Sequence, residues 1–131
     1  MPFDAQALFA NLTEKERIKG HHSPEGQAIR VLSRALNGWS SGSLSRHDVV
    51  VLCDQAVEDW LNVRLKRSPW SSRSMPVVAP LAVANRILTQ SEADRLLSLH
   101  SFRAPAGAAE ISQEEGEAAL EFCIELIDKH W

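Results

Sequence analysis

Apolar residues recur at three- and four-residue steps along most of this chain and rarely alternate, which is the pattern of amphipathic helices and not of strands. It is clearest from Ser91 to Trp131, SEADRLLSLHSFRAPAGAAEISQEEGEAALEFCIELIDKHW. There Ala119, Phe122, Cys123, Leu126 and Ile127 share one helix face, which Leu120 and Ile124 widen. Ser112 and Glu115 stand in capping-box spacing, so the hydroxyl accepts a backbone amide hydrogen while the carboxylate turns back to the Ser112 amide. The preceding segment has Thr89 and Glu92 in the same relation. Leu96, Leu97, Leu99 and Phe102 form its apolar side, and Asp94, Arg95 and Ser98 are left for solvent. Pro105 and Gly107 keep the two from merging, which predicts an antiparallel helix pair.

Upstream, Phe3, Ala7, Leu8, Leu12 and Ile18 mark one bent or two short helices up to Lys19, with Thr13 and Glu16 offering a fresh cap inside the segment. Ser23-Pro24 opens the next helix, which carries Ile29, Leu32 and Leu36 and is expected to stop at Asn37-Gly38. The longest helix enters at Ser45, with Asp48 three residues on, and is expected to reach about Arg67. Val49, Cys53, Ala56, Trp60 and Val63 form its stripe. VVVLC alone would suit a strand, but helical spacing continues through Trp60 and no alternating partner strand exists. After the loop SPWSSRSMP, the stretch VVAPLAVANRIL predicts a short helix with Pro80 in its first turn. The fold class is therefore all-α, a five- to six-helix up-and-down bundle.

Composition changes this picture little. At 131 residues, 44% hydrophobic and 24% charged, the chain predicts a single domain over 1–131 able to bury its own core. No apolar run approaches the ~20 residues that span a bilayer, and MPFDAQALFANLTEKER lacks the basic and apolar regions of a secretory leader. Cys53 and Cys123 sit in apolar helical rows, as reduced core thiols of a cytoplasmic protein do. A net charge of -3 and a pI near 5.9 argue against broad duplex-DNA binding and leave room for a local basic patch.

In order, LCDQAVEDWLNVRL, SEADRLLSLHSFR and ISQEEGEAALEFCIELIDK resemble the helices of the HEPN superfamily, over residues 45 to 131. Members of that family carry, after the leucine-rich helix, an Arg, a polar neighbour and a His five residues after the Arg. Those with the motif are commonly metal-independent ribonucleases acting as dimers, with the two motifs meeting across the interface. Here Arg103 matches, but the polar position holds Ala104 and the His position Ala108. A methyl group cannot shuttle the proton that attack by a 2′-hydroxyl requires. Arg103 still offers charge and paired hydrogen bonds to a phosphate. The resemblance thus implies a homodimer joined through the C-terminal helices that binds a nucleotide, RNA or a partner protein without cleaving it. It also implies a defence, toxin–antitoxin or nucleotidyltransferase-paired setting.

Other residues sharpen or rival this expectation. His100, one turn before Arg103, would restore an imidazole, and a ribonuclease using Arg103 and His100 is the alternative. The same position also suits a half-buried histidine beside the leucines. Arg64, Lys66, Arg67 and Arg73 surround Trp70, a basic and aromatic cluster suited to single-stranded RNA, or equally a solvated loop with Trp70 as a lid. Asp54, Glu58 and Asp59 either orient Arg103 or form a solvated flank with Arg64 and Asn62, the plainer expectation. His21, His22 and His47 lack any metal-ligand spacing, so neither a metal nor a cofactor is expected. Trp39 and Trp131 are candidates for a subunit interface or for ordinary packing.

Overall fold

Capping residues and glycines set the lengths of six α-helices in the computed structural model, which describes residues 3–20, 22–66, 74–103 and 111–130. No strand occurs among them. α1 (Ala5–Lys19) starts where Asp4 accepts the Ala7 amide hydrogen at 3.1 Å. It is one helix, not two: Thr13 makes no fresh cap, because its hydroxyl donates back to the Phe9 carbonyl at 2.9 Å within a continuous helix.

α2 (Pro24–Ser41) starts on Ser23, whose hydroxyl oxygen accepts from Gly26, and runs past the expected stop at Asn37-Gly38. Gly38 serves a packing role instead: an added Cβ would lie 2.2 Å from the Leu44 side chain, so the bare backbone makes room for the returning loop. The stop falls at Gly42, whose φ of +72° costs glycine little. α3 (Arg46–Arg64) is capped by Ser45 and ends before the expected Arg67, since Lys66 turns to a left-handed φ of +58°. α4 (Met75–Ala84) begins two residues earlier than VVAPLAVANRIL suggested. Pro76 takes the first-turn place assigned to Pro80, and Pro80 lies in the helix interior. α5 (Gln90–His100) runs into a single 3-10 turn (Ser101–Arg103), and α6 (Gln113–Lys129) follows; both expected capping boxes are formed.

α3 is the central element, packed by α2, α4, α5 and α6. Its Val49, Cys53, Val57, Trp60 and Leu61 meet Ile29, Leu32 and Leu36 from α2, Met75 and Val78 from α4, Leu96 from α5, and Leu120, Ile124 and Ile127 from α6 in one core. α5 and α6 run antiparallel, as expected. Glu92 near the start of α5 meets Lys129 at 3.3 Å and His130 at 3.4 Å at the end of α6, while Leu99 and Phe102 meet Ile111 and Ala119 at the other end. They are nonetheless no tight hairpin, since α6 leans chiefly on α3 and α5 on α4, and the two touch through side chains. Trp39 packs inside the chain, close enough to α6 that a Cβ on Gly116 would come within 2.4 Å of its indole. Trp131 lies outside the described residues. No helix among the described residues is long and apolar enough to cross a membrane.

A second tie closes the bundle. Lys15 of α1 is buried, and its ammonium donates to Asn11 Oδ1 at 2.6 Å and to the Asp128 carboxylate of α6. The Lys15 hydrogen bond holds the Asp128 carboxyl below its ordinary value of 3.8, against a smaller opposing push from burial. A carboxyl depressed on folding stabilises the fold above its unfolded value and loses that contribution as pH falls through the depressed one. Asp128→Ala, which strips a buried ammonium of its carboxylate, should destabilise more than Lys15→Met, which leaves a carboxylate 54% exposed to water. After screening, the Asp128→Ala cost is about 1 kcal/mol near pH 7 and fades below about pH 4. Urea unfolding across pH checks both the order and the window.

Candidate functional site

The first turn of α3 fixes the joint between α5 and α6. His47 donates from Nε2 to the Phe102 carbonyl at 2.6 Å; a carbonyl only accepts, so this nitrogen carries the hydrogen. The neighbouring Arg46 donates to the Ile111 carbonyl at 3.2 Å. Adjacent residues of one turn therefore hold the backbone on both sides of positions 104–110, which include Ala104 and Ala108 and lie outside the described residues.

One and two turns further along α3, Asp54 and Glu58 face the same joint. Asp54 is fully buried, and its Oδ2 lies 3.0 Å from Nδ1 of His100, whose side chain is 24% exposed. With the carboxylate ionised, Nδ1–H donates and Nε2 is left as an acceptor, so the pair orients the imidazole and fixes its tautomer. Glu58 accepts the Met75 amide hydrogen at 3.0 Å and so caps α4, whose own N-cap Ser74 makes no side-chain hydrogen bond. Asn62 donates to the Glu58 carbonyl at 2.9 Å and is buried. These findings overturn the expectation of a solvated Asp54–Asn62 flank. Of the expected flank only Asp59 and Arg64 are exposed, because the α4 start and the α5 end both cover this side of α3.

Asp54, Glu58 and His100 each offer a ligand atom, all within 4.8 Å of one another, so they are the group among the described residues able to approach a metal ion. Asp54 and Glu58 already accept hydrogen bonds from His100 and Met75, which an ion would have to displace. Their present chemistry is the orientation of an imidazole and of a helix end. Of the expected binding residues, Arg103 ends the 3-10 turn three residues after His100. Arg64 and Lys66 are exposed at the end of α3, and the Arg64 guanidinium lies 5.7 Å from the centroid of the Trp60 ring. Arg67, Trp70 and Arg73 lie outside the described residues, as does His21. His22 is exposed and His47 is committed to the joint.

Beside the joint, Val50, Ile111 and Ala119 form a small buried apolar cluster with Leu99 and Phe102 packed half-buried against it, all lining a pocket of about 230 Å³, and Arg95 stacks 4.3 Å from the Phe122 ring centroid. Cys53 and Cys123 are free, buried thiols in contact; hydrogen bonding to Cys53, then burial, pushes the Cys123 thiol well above the usual range. Compared with known proteins, the chain matches no family model, no curated protein and no solved structure.

The pairing of Asp54 with His100 spans 46 positions, beyond any local spacing. One signal existed: Asp54 occupies the row Val50, Asp54, Val57, Leu61, so a carboxylate stood where the stripe requires a buried side chain.

Proposed function

We propose that the chain is a HEPN-like domain that acts as a homodimeric binding module, holding a phosphate-bearing ligand, RNA or nucleotide, at the α5–α6 joint without cleaving it. The observation that carries this is the fastening of the joint: one turn of α3 holds Phe102 and Ile111, and a buried carboxylate orients His100 one turn before Arg103. A guanidinium at position 103, at the end of this fastened turn, suits phosphate recognition, whereas alanines at 104 and 108 supply no proton-transfer group. The apolar patch of Leu99 and Phe102 suits a two-fold contact between α5 and α6 of two copies. A nucleotidyltransferase-type partner protein and a defence or toxin–antitoxin setting follow from the HEPN resemblance alone.

Filter retention of labelled mixed-sequence RNA tests the binding. The wild type should hold RNA in a salt-dependent manner, and Arg103→Ala should weaken retention about ten-fold. The RNA should come back intact, and light scattering should give a dimer mass. Equal retention by Arg103→Ala, or a monomer at every concentration, sinks this proposal.

A second reading is favoured by the 3.0 Å contact of His100 with Asp54: a metal-independent ribonuclease in which His100 Nε2 is the general base and Arg103 stabilises the phosphate oxyanion. Cleavage in the presence of a chelator, abolished by His100→Ala, would establish it.

A further inference from the structure

Between α1, α2 and the loop leading into α3 lies an open cleft of about 510 Å³, within the range of small-ligand sites. It is built from residues other than those of the joint. Arg30 and Arg34 stand one turn apart on the polar face of α2, so both guanidiniums serve the same side. Glu16 of α1, itself a lining residue, pairs with Arg30 at 3.6 Å, and its side chain is only 17% exposed. Arg34 pairs with no carboxylate among the described residues. Two like charges facing one carboxylate leave an excess cation that an anion would relieve.

The same cleft presents an aromatic face. Phe9 lines it and is 39% exposed. The Thr13 hydroxyl, donating to the Phe9 carbonyl, keeps its oxygen available as an acceptor, and the Ser33 hydroxyl lines the opposite wall. A cation pair suits phosphate, a phenyl face suits a flat base, and hydroxyls suit a ribose. We infer that the α1–α2 cleft binds a nucleoside phosphate, with the phosphate against Arg34 and Arg30 and the base stacked on Phe9. The inference stands independently of the joint and of the HEPN resemblance.

Titration calorimetry of the full chain at low salt, with AMP as the probe, tests it. Arg34→Glu should weaken AMP binding at least about ten-fold, and Phe9→Ala about five-fold or more. Both side chains are exposed, so melting temperatures should hold and the losses should be read as binding. If Arg103→Ala abolishes AMP binding while Arg34→Glu leaves it intact, the nucleotide sits at the joint and this proposal fails while the previous one gains. No AMP binding at millimolar concentration overturns the proposal. So does inorganic phosphate that binds as tightly as AMP, since the base would then contribute nothing. A 5′-phosphorylated oligoadenylate that binds more tightly than AMP assigns the cleft to an RNA end, and equal affinity assigns it to a free nucleotide.

Discussion

Trp60→Ala should lower the melting temperature by roughly 10–20 °C, the largest effect of any single substitution considered for this chain. The indole is 1% exposed and sits on α3, the helix against which four others pack. Its ring faces that of His130 beyond the end of α6, with centroids 6.3 Å apart, and the Arg64 guanidinium covers it from its own helix. Truncation would empty the volume shared by these elements, and rigid neighbours collapse only partly, which costs about 3–5 kcal/mol. That is a large share of the roughly 5–15 kcal/mol by which a domain is stable. Thermal melts followed by circular dichroism check it, and a fall of only a few degrees would show that the core closes over the gap.

His100→Ala should destabilise by about 1.5–3 kcal/mol, because the Asp54 carboxylate stays buried and loses a hydrogen bond made to a charged group. His100→Asn places an amide N–H near the position of Nδ1 and should recover most of that loss. The pair of variants separates structure from chemistry. If the joint only binds, Asn at position 100 should retain RNA about as the wild type does. If His100 is a general base, both variants lose cleavage alike, since neither alanine nor an amide accepts the proton. Urea unfolding and RNA gel assays on the same preparations give both readouts.

Helix number, order and starts were legible in the sequence because they rest on local chemistry. Ser23, Ser45, Thr89 and Ser112 all cap as their spacing implies. The ends were less legible. Asn37-Gly38 has the composition of a stop, but Gly38 is demanded by Leu44 six residues on, and Lys66 ends α3 without a glycine. The site was legible only in part. Arg103 and His100 were identifiable by their spacing, whereas the carboxylate that orients His100 belongs to another helix, and His47 and Arg46 act through backbone carbonyls of Phe102 and Ile111 that no residue-type pattern encodes. The cleft of Arg30, Arg34 and Phe9 escaped notice because α1 and α2 each look like ordinary amphipathic helices until they are placed side by side.

Because Arg46 and His47 are consecutive residues of α3, the backbone at Phe102 and at Ile111 is pinned to a single helix turn, and the distance between those two anchor points is a property of α3.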